Sequence, residues 1–370
     1  MAQISTRKRG NTWEYSFEIA SVDGKRKRKS KGGFRTKKEC LEAGTKAKAE
    51  YDSCGTVNNE TMMSVSDWLD IWYKDCIDKR YKPATKETYN SVIRQIKRQF
   101  GNYRLASLTP LAINKWFNEL IDEGYATSTV RNVRRILNGA LNYAYQMCVI
   151  KENPCSRVRI KTSDSEKFKN TLIVTPDLFE KILKKFDTKV TYYRIPFLIG
   201  WFTGMRGGEV LGLTWDDIDF ENKTIHVCKT QTWAFNQIHI HYPKTPRSVR
   251  DIAVGDKLIN ELKAWREVQI DNANKLDMEA PKFICTRNNL TLLSVINLRH
   301  QSMSVARELD IDFHFHCLRH THATLLIKNG VSVKEVQARL GHTSIQTTLD
   351  IYTHIKASES IKSVDVFENF

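Results

Sequence analysis

The sequence predicts a multidomain, mainly α protein. A small β-sheet-plus-helix module comes first, then a four-helix domain, then a mixed α+β C-terminal half. Three observations carry this reading. Apolar and polar residues alternate from Trp13 to Ile19 and again in stretches between Thr224 and Val254, the period of half-buried strands. Between Ser64 and Ala144, apolar residues recur at helical spacing in four successive blocks. A length of 370 residues suits two or three separate cores. The expected divisions are 1–60, 61–160, a polar linker at 161–170, and 171–370.

Charge narrows the partner. Lys and Arg number 58 against 42 Asp and Glu, a net charge of +16, with a pI of about 9.4. Such a surplus favours a polyanion, nucleic acid before a membrane surface. No run of eighteen apolar residues occurs, so no bilayer-spanning helix is expected. The start, MAQISTRKRG, lacks the apolar stretch of a secretory signal. Eight scattered cysteines with no CxxC point to reduced thiols and a cytoplasmic setting.

In the first module, Trp13, Tyr15, Phe17 and Ile19 mark a strand and Asp23-Gly24 a hairpin turn. Lys25, Arg26, Lys27, Arg28, Lys29 and Lys31 follow, six basic residues in seven positions. A basic ribbon of this kind suits a DNA groove, and equally a solvated hairpin. Thr36 is placed to cap a helix running to about Asp52.

Four helices fill the next hundred residues. Ser64 opens the first, with Val65, Trp68, Leu69 and Trp72 inward. Thr85 caps the second. Thr109-Pro110 opens the third by the N-cap and Pro-at-N1 rule, with Leu111, Ile113, Trp116, Phe117 and Leu120 inward. Thr127 or Ser128 opens the fourth. The aromatic stripe reads as core. Arg94, Lys97, Arg98, Arg131, Arg134 and Arg135 face outward, where they suit a phosphate backbone.

In the C-terminal half, Thr175-Pro176 opens a helix, and Ile195 to Phe202 reads as a buried one. Then comes TGMRGGEVLGLTW, which places Arg206 directly after a buried helix. A charge there needs a partner, and Glu209 at i+3 supplies one. Strands are expected over Thr224–Trp233, Ile238–Tyr242 and Ser248–Val254, with a turn at Pro243–Pro246. Helices are expected over Asp256–Asn272 (Leu258, Leu262, Trp265 and Val268 inward) and Ser294–Leu309.

The densest stretch is His314 to His354. His316 and Arg319 share a helix face. Gly330 closes that helix, and Ser332 with Glu335 forms a capping box for the next, which Gly341 ends. His342 follows, and Tyr352 lies in a third short helix from Ser344. A guanidinium grips phosphate oxygens, an imidazole moves protons, and a phenol can act as a nucleophile. His316, His320 and His322 with Cys317 also have the composition of zinc ligands, but without the Glu of the zinc-protease motif.

Three segments together, TGMRGGEVLGLTW, HCLRH and LGHTSIQTTLDIYTH, resemble the tyrosine recombinases, in particular the integrases of phages and conjugative transposons. The resemblance spans essentially the whole chain. It implies an arm-type DNA-binding module, a core-binding helical domain and a tyrosine-recombinase catalytic domain. It implies Arg206 and Arg319 as the catalytic arginines, with Glu209 and His320 in support. Tyr352 becomes the nucleophile, His316 the base and His342 a phosphate ligand. Lys244 becomes the acid for the leaving 5′ oxygen, with Lys229 the weaker candidate. No role falls to His314 or His322. The implied chemistry uses no metal, ATP or other cofactor and proceeds through a 3′-phosphotyrosine and a Holliday junction in a homotetramer on double-stranded DNA. A directionality factor or a host DNA-bending protein is a further partner of the kind such enzymes use. The one departure, Gly207-Gly208 where bulkier residues are frequent, is expected to loosen the arginine loop. The tail from Ile355 to Phe370 suits docking on a neighbouring subunit or on its own domain. Two other classes compete: a DNA-binding regulator that kept the fold without catalysis, and a zinc nuclease.

Overall fold

The computed structural model describes residues 4–22, 25–54, 63–160, 172–187, 191–242 and 249–341. The chain forms two compact units, Met1–Asp164 and Ser165–Phe370.

The first unit holds two separate apolar cores. Strands β1 (Ser5–Arg9), β2 (Thr12–Val22) and β3 (Lys25–Phe34) form an antiparallel sheet in that order. Helix α1 (Lys37–Cys54) packs on β2, burying Tyr15 and Phe17 against Cys40 and Ala47. Strand β1 is absent from the sequence reading because STRKR has no apolar alternation. It is an edge strand whose charged side chains blunt further pairing.

The second core belongs to four helices, α2 (Val65–Trp72), α3 (Pro83–Phe100), α4 (Pro110–Asp122) and α5 (Thr127–Gln146), with a π-helical turn at Tyr73–Asp78. Ser64 and Thr109 cap α2 and α4 through their hydroxyls, as expected. Two details differ. Helix α3 begins at Pro83 rather than after a Thr85 cap, because the proline ring already holds a helical φ and gives up no needed N–H. Leu111 is 77 % exposed; in the first turn of α4 it stands off the buried stripe of Ile113, Trp116, Phe117 and Leu120.

The second unit is built around α7 (Arg194–Thr203), whose Ile195–Gly200 run is buried on all sides. Helix α6 (Pro176–Lys184) precedes it. Helices α8 (Gly207–Leu211), α9 (Asp256–Lys275) and α11 (His316–Lys328) all contact it. Strands β4 (Ile218–Asp219), β5 (Thr224–Val227) and β8 (Arg250–Ala253) form one sheet; β6 (Thr230–Ala234) and β7 (Gln237–His241) form a hairpin beside α8. Helices α10 (Val295–Glu308) and α12 (Val333–Leu340) complete the unit, with α12 against β8 and α11.

The alternation expected through Thr224–Trp233 breaks at Cys228-Lys229. There Lys229 turns inward and donates to the Asp217 carboxylate (2.7 Å) and the Thr214 hydroxyl (2.8 Å). In α9, Val268 is exposed and Gln269 is buried instead. The amide repays its desolvation by accepting from Trp215 Nε1 and donating to the Phe283 and Ile284 carbonyls and the Thr286 hydroxyl.

Candidate active site

Helix α7 ends at Gly204, whose φ of +67° turns the chain sharply. Arg206 follows as the N-cap of α8. Glu209 Oε2 accepts from the Arg206 backbone N–H (3.0 Å) and Oε1 from its guanidinium (2.9 Å). The Arg206 side chain is 43 % exposed and Glu209 only 9 %. The arginine therefore presents donors outward from a buried anchor. Burial opposes ionisation of Glu209, but Arg250 and then Arg206 outweigh it, and its pKa is lowered.

Gly208 has a packing role beside the loosening expected of Gly207-Gly208. A Cβ on Gly208 would stand 2.5 Å from the Gln231 carbonyl oxygen and 2.8 Å from Thr230 Oγ1. The glycine lets α8 sit directly on β6.

Arg319, on α11, is 2 % exposed. It donates to the carbonyls of Gly204 (2.9 Å) and Leu340 (2.8 Å). These bonds tie α11 to the arginine loop and to the C-terminal end of α12, where carbonyls lack helical partners. Burial, then the positive charge of Arg206, pushes the Arg319 pKa down to about 9, with Glu209 opposing. Arg206 and Arg250 thus pair with one buried carboxylate, and Arg319 lies close enough to feel its charge. The excess positive charge is relieved when an anion arrives.

His316 opens α11 at the rim of this cluster and is solvent-exposed. Its ring meets His320 edge-on at 4.8 Å. Loss of water around the ring, then His320, Arg319, His314 and Arg206, push its pKa down to about 4. It is therefore neutral at pH 7 and able to accept a proton. His320 is lowered by burial, His314 and Arg319. His314 turns back onto the Cys317 thiol at 2.9 Å. Among the described residues, no three His, Cys, Asp or Glu side chains are grouped as metal ligands.

Sequence reasoning missed three supports. His322, left without a role, lies between the Trp201 carbonyl (Nδ1, 2.9 Å) and Arg339 Nε (Nε2, 3.1 Å). A carbonyl only accepts, so Nδ1 carries the proton and Nε2 accepts. Arg339 also donates to the Phe202 and Ala253 carbonyls. Arg250, on β8, pairs with Glu209 at 2.9 Å. The available signal was an arginine inside an alternating strand, read there only as part of the pattern.

Lys244, His342 and Tyr352 lie outside the described residues, as do the turn at 243–246, the third short helix and the tail. Lys229 is bound to Asp217 and Thr214 with its side chain 17 % exposed. Arg28 and Lys31 are exposed on β3 and Lys29 half-buried; Lys25, Arg26 and Lys27 form the start of that strand. Arg94, Arg98, Arg131 and Arg135 are exposed on α3 and α5. Lys97 is held by Asp70 at 2.6 Å, and Arg134 donates to the Val158 carbonyl. Arg135 lies over the Tyr89 ring and donates to its hydroxyl.

This architecture is shared with DNA integrases of known structure. A Tn1549 transposon integrase in complex with transposon right end DNA matches with a TM-score of 0.66 at 20% identity, over 82% of this chain and 100% of that one. A lambda integrase tetramer bound to a Holliday junction matches with a TM-score of 0.61 at 21% identity, over 92% and 95%. The fold is thus the one these integrases share. Family models match in sequence order: an arm DNA-binding domain at 5–51, a phage integrase N-terminal SAM-like domain at 64–121, and the phage integrase family at 173–359. The chain belongs to the phage integrase family, and its enzymatic class is that of the tyrosine recombinases, which cut and rejoin DNA. It is 26% identical over 365 residues to the ICEBs1 integrase of Bacillus subtilis, covering 96% of each. It is 27% identical over 328 residues to a XerC-like tyrosine recombinase of Caldanaerobacter subterraneus subsp. tengcongensis, covering 83% of each. Among the described residues, no helix is long and apolar enough to cross a membrane.

Proposed function

We propose that this chain integrates and excises a mobile element by recombining two DNA duplexes through a 3′-phosphotyrosine. The observation that carries the proposal is that Arg319 bonds the Gly204 carbonyl of the loop from which Glu209 presents Arg206, with His316 three residues before Arg319 on α11. Arg206 and Arg319 neutralise the non-bridging oxygens of the scissile phosphate as charge builds. The Tyr352 phenol loses its proton to His316 and forms the P–O bond; the P–O bond to the 5′ oxygen breaks, and Lys244 gives that oxygen its proton. His342 donates a hydrogen bond to the phosphate. Attack by a 5′ hydroxyl of the partner duplex reverses the step without ATP, and two rounds pass through a Holliday junction.

The assembly in this reading is a homotetramer on double-stranded DNA in the cytoplasm. The division into 1–60, 61–160, 161–170 and 171–370 gives each protomer two DNA contacts. Core sites fall to Arg94, Arg98, Arg131 and Arg135, and distal arm sites to the β3 cations. A directionality factor or a host DNA-bending protein acts at the level of the assembled complex.

The test is a denaturing gel of protein incubated with nicked duplexes from the ends of its own element, with EDTA present. A protein–DNA adduct is expected from wild type and not from Tyr352→Phe. Tight binding with no adduct points to a regulator. Cleavage without an adduct, abolished by chelator, points to a metal nuclease.

A further inference from the structure

Arg250 sits where three segments of the second unit meet. Its side chain is 7 % exposed. Nη2 and Nη1 reach the two Glu209 oxygens at 2.9 and 3.4 Å. Nε donates to the Arg339 carbonyl at the C-terminal end of α12 (2.7 Å). Gly341, with φ of +65°, leaves space for the same guanidinium: a Cβ there would stand 3.1 Å from Nη1. One planar group therefore grips the carboxylate that anchors Arg206 and the helix end that leads directly into His342. It does so from β8, which starts six residues after Lys244 in the sequence.

The two arginines on Glu209 divide the work by exposure. Arg206 is 43 % exposed and offers donors outward, whereas Arg250 is enclosed. Arg206 cannot orient Glu209 and reach a phosphate unless something else holds the carboxylate. Of the two, Arg250 is the one that stays in place. We propose that Arg250 is a positioning residue for strand cleavage: it sets Arg206 through Glu209 and keeps the end of α12 in register with it, without touching the phosphate. This rests on the recombinase reading above.

The chemistry requires arginine. A guanidinium holds a carboxylate on one edge and a carbonyl on Nε in a single plane, while an ammonium concentrates its donors at one point. R250K therefore keeps the charge and loses the geometry. The experiment compares wild type, R250K, E209Q and the double variant by single-turnover adduct formation on nicked duplexes from the element's ends. DNA affinity and thermal unfolding are measured alongside. R250K is expected to slow adduct formation on the order of 10–100-fold, the range that misplacement by about 1 Å produces, with affinity changed less than about threefold. The double variant is expected to be no slower than the slower single, since both act through one carboxylate. A folded R250K that cleaves at the wild-type rate, a parallel loss of binding and cleavage, or multiplicative effects would each overturn the role. Should R250K not fold, R250Q, E209Q and R250Q/E209Q carry the same comparison, the double variant removing both buried charges together.

Hydrogen exchange adds an arm that needs no DNA. The Arg206 amide, bonded to Glu209 Oε2, is expected to lose protection in R250K while the peptides of α9 keep theirs. Unchanged protection at Arg206 would equally overturn the role. If wild type forms no adduct, the recombinase reading fails on its own evidence, and the exchange result still decides whether Arg250 holds the loop.

Discussion

Arg319 and Gly204 are 115 positions apart, yet the Arg319 guanidinium donates to the Gly204 carbonyl at 2.9 Å. A second donor goes to the Leu340 carbonyl at 2.8 Å. A residue assigned to phosphate chemistry is thus also a structural tie between α7, α11 and α12. Among the described residues these two bonds take two of its five N–H groups.

That double duty separates Arg319 from an ordinary catalytic side chain. Arg319→Lys removes the planar fork, so at least one buried carbonyl loses its donor. A loss of about 1–3 kcal/mol in urea unfolding is expected, together with loss of adduct formation. An Arg319→Lys protein as stable as wild type would show that the two carbonyl bonds contribute little.

Arg206 and Glu209 are expected to part company. In Arg206→Gln, Glu209 keeps Arg250 and the residue 206 amide, and the lost pair is partly solvent-exposed. Stability should change by less than about 1 kcal/mol, while cleavage falls by about 10²–10³-fold. Glu209→Ala strands the buried Arg250, and breaking such a pair costs about 3–5 kcal/mol. Urea melts beside single-turnover cleavage distinguish the two. Equal destabilisation by both changes would mean that Arg250 does not hold the carboxylate.

Most of this architecture was legible because it rests on local signals. Pro110 after Thr109, the Ser332–Glu335 capping box and the αL cap at Gly341 each mark a helix end within a few residues. TGMRGGEVLGLTW placed a charge after a buried helix and put its partner at i+3. What the sequence concealed is long-range. Nothing near Arg250 names Glu209, 41 residues earlier, or the Arg339 carbonyl, 89 residues later. His322 resembles a spare histidine until Trp201 and Arg339 close around it. Strand β1 lacks a pattern because its hydrogen bonds to β2, not its side chains, define it.

Gly208 gives a test of packing alone. An added Cβ meets the Gln231 carbonyl at 2.5 Å, and a backbone atom of a paired strand cannot swing aside. Gly208→Ala is expected to destabilise by about 1–3 kcal/mol, the usual range for overpacking, and to slow cleavage by shifting α8 and Arg206. Gly255→Ala, where a Cβ meets nothing within 4 Å, serves as the control. A Gly208→Ala protein with wild-type stability and cleavage would mean that the loop tolerates displacement.

The His322 bonds make stability depend on acid. Burial and then Arg339 push its pKa down to about 4, against 6.5 for a free imidazole. The unfolded chain therefore binds a proton that the folded chain refuses between pH 6.5 and 4, so stability falls as pH drops through that window. Below pH 4 the penalty is complete, at most about 3 kcal/mol by linkage. Protonation also forces Nε2 to donate towards Arg339, which has only donors, and so removes one brace from the Phe202–Gly204 turn. In His322→Gln, a neutral amide can still accept from Arg339, and the slope attributable to this residue should vanish. His316 lies in the same helix with a pKa also near 4, but its exposed ring makes its contribution smaller. Urea melts at pH 7, 5.5 and 4.5 on wild type, His322→Gln and His316→Gln separate the two. If His316→Gln flattens the profile and His322→Gln leaves it steep, the acid sensitivity belongs to the rim of the site rather than to the brace behind the arginine loop.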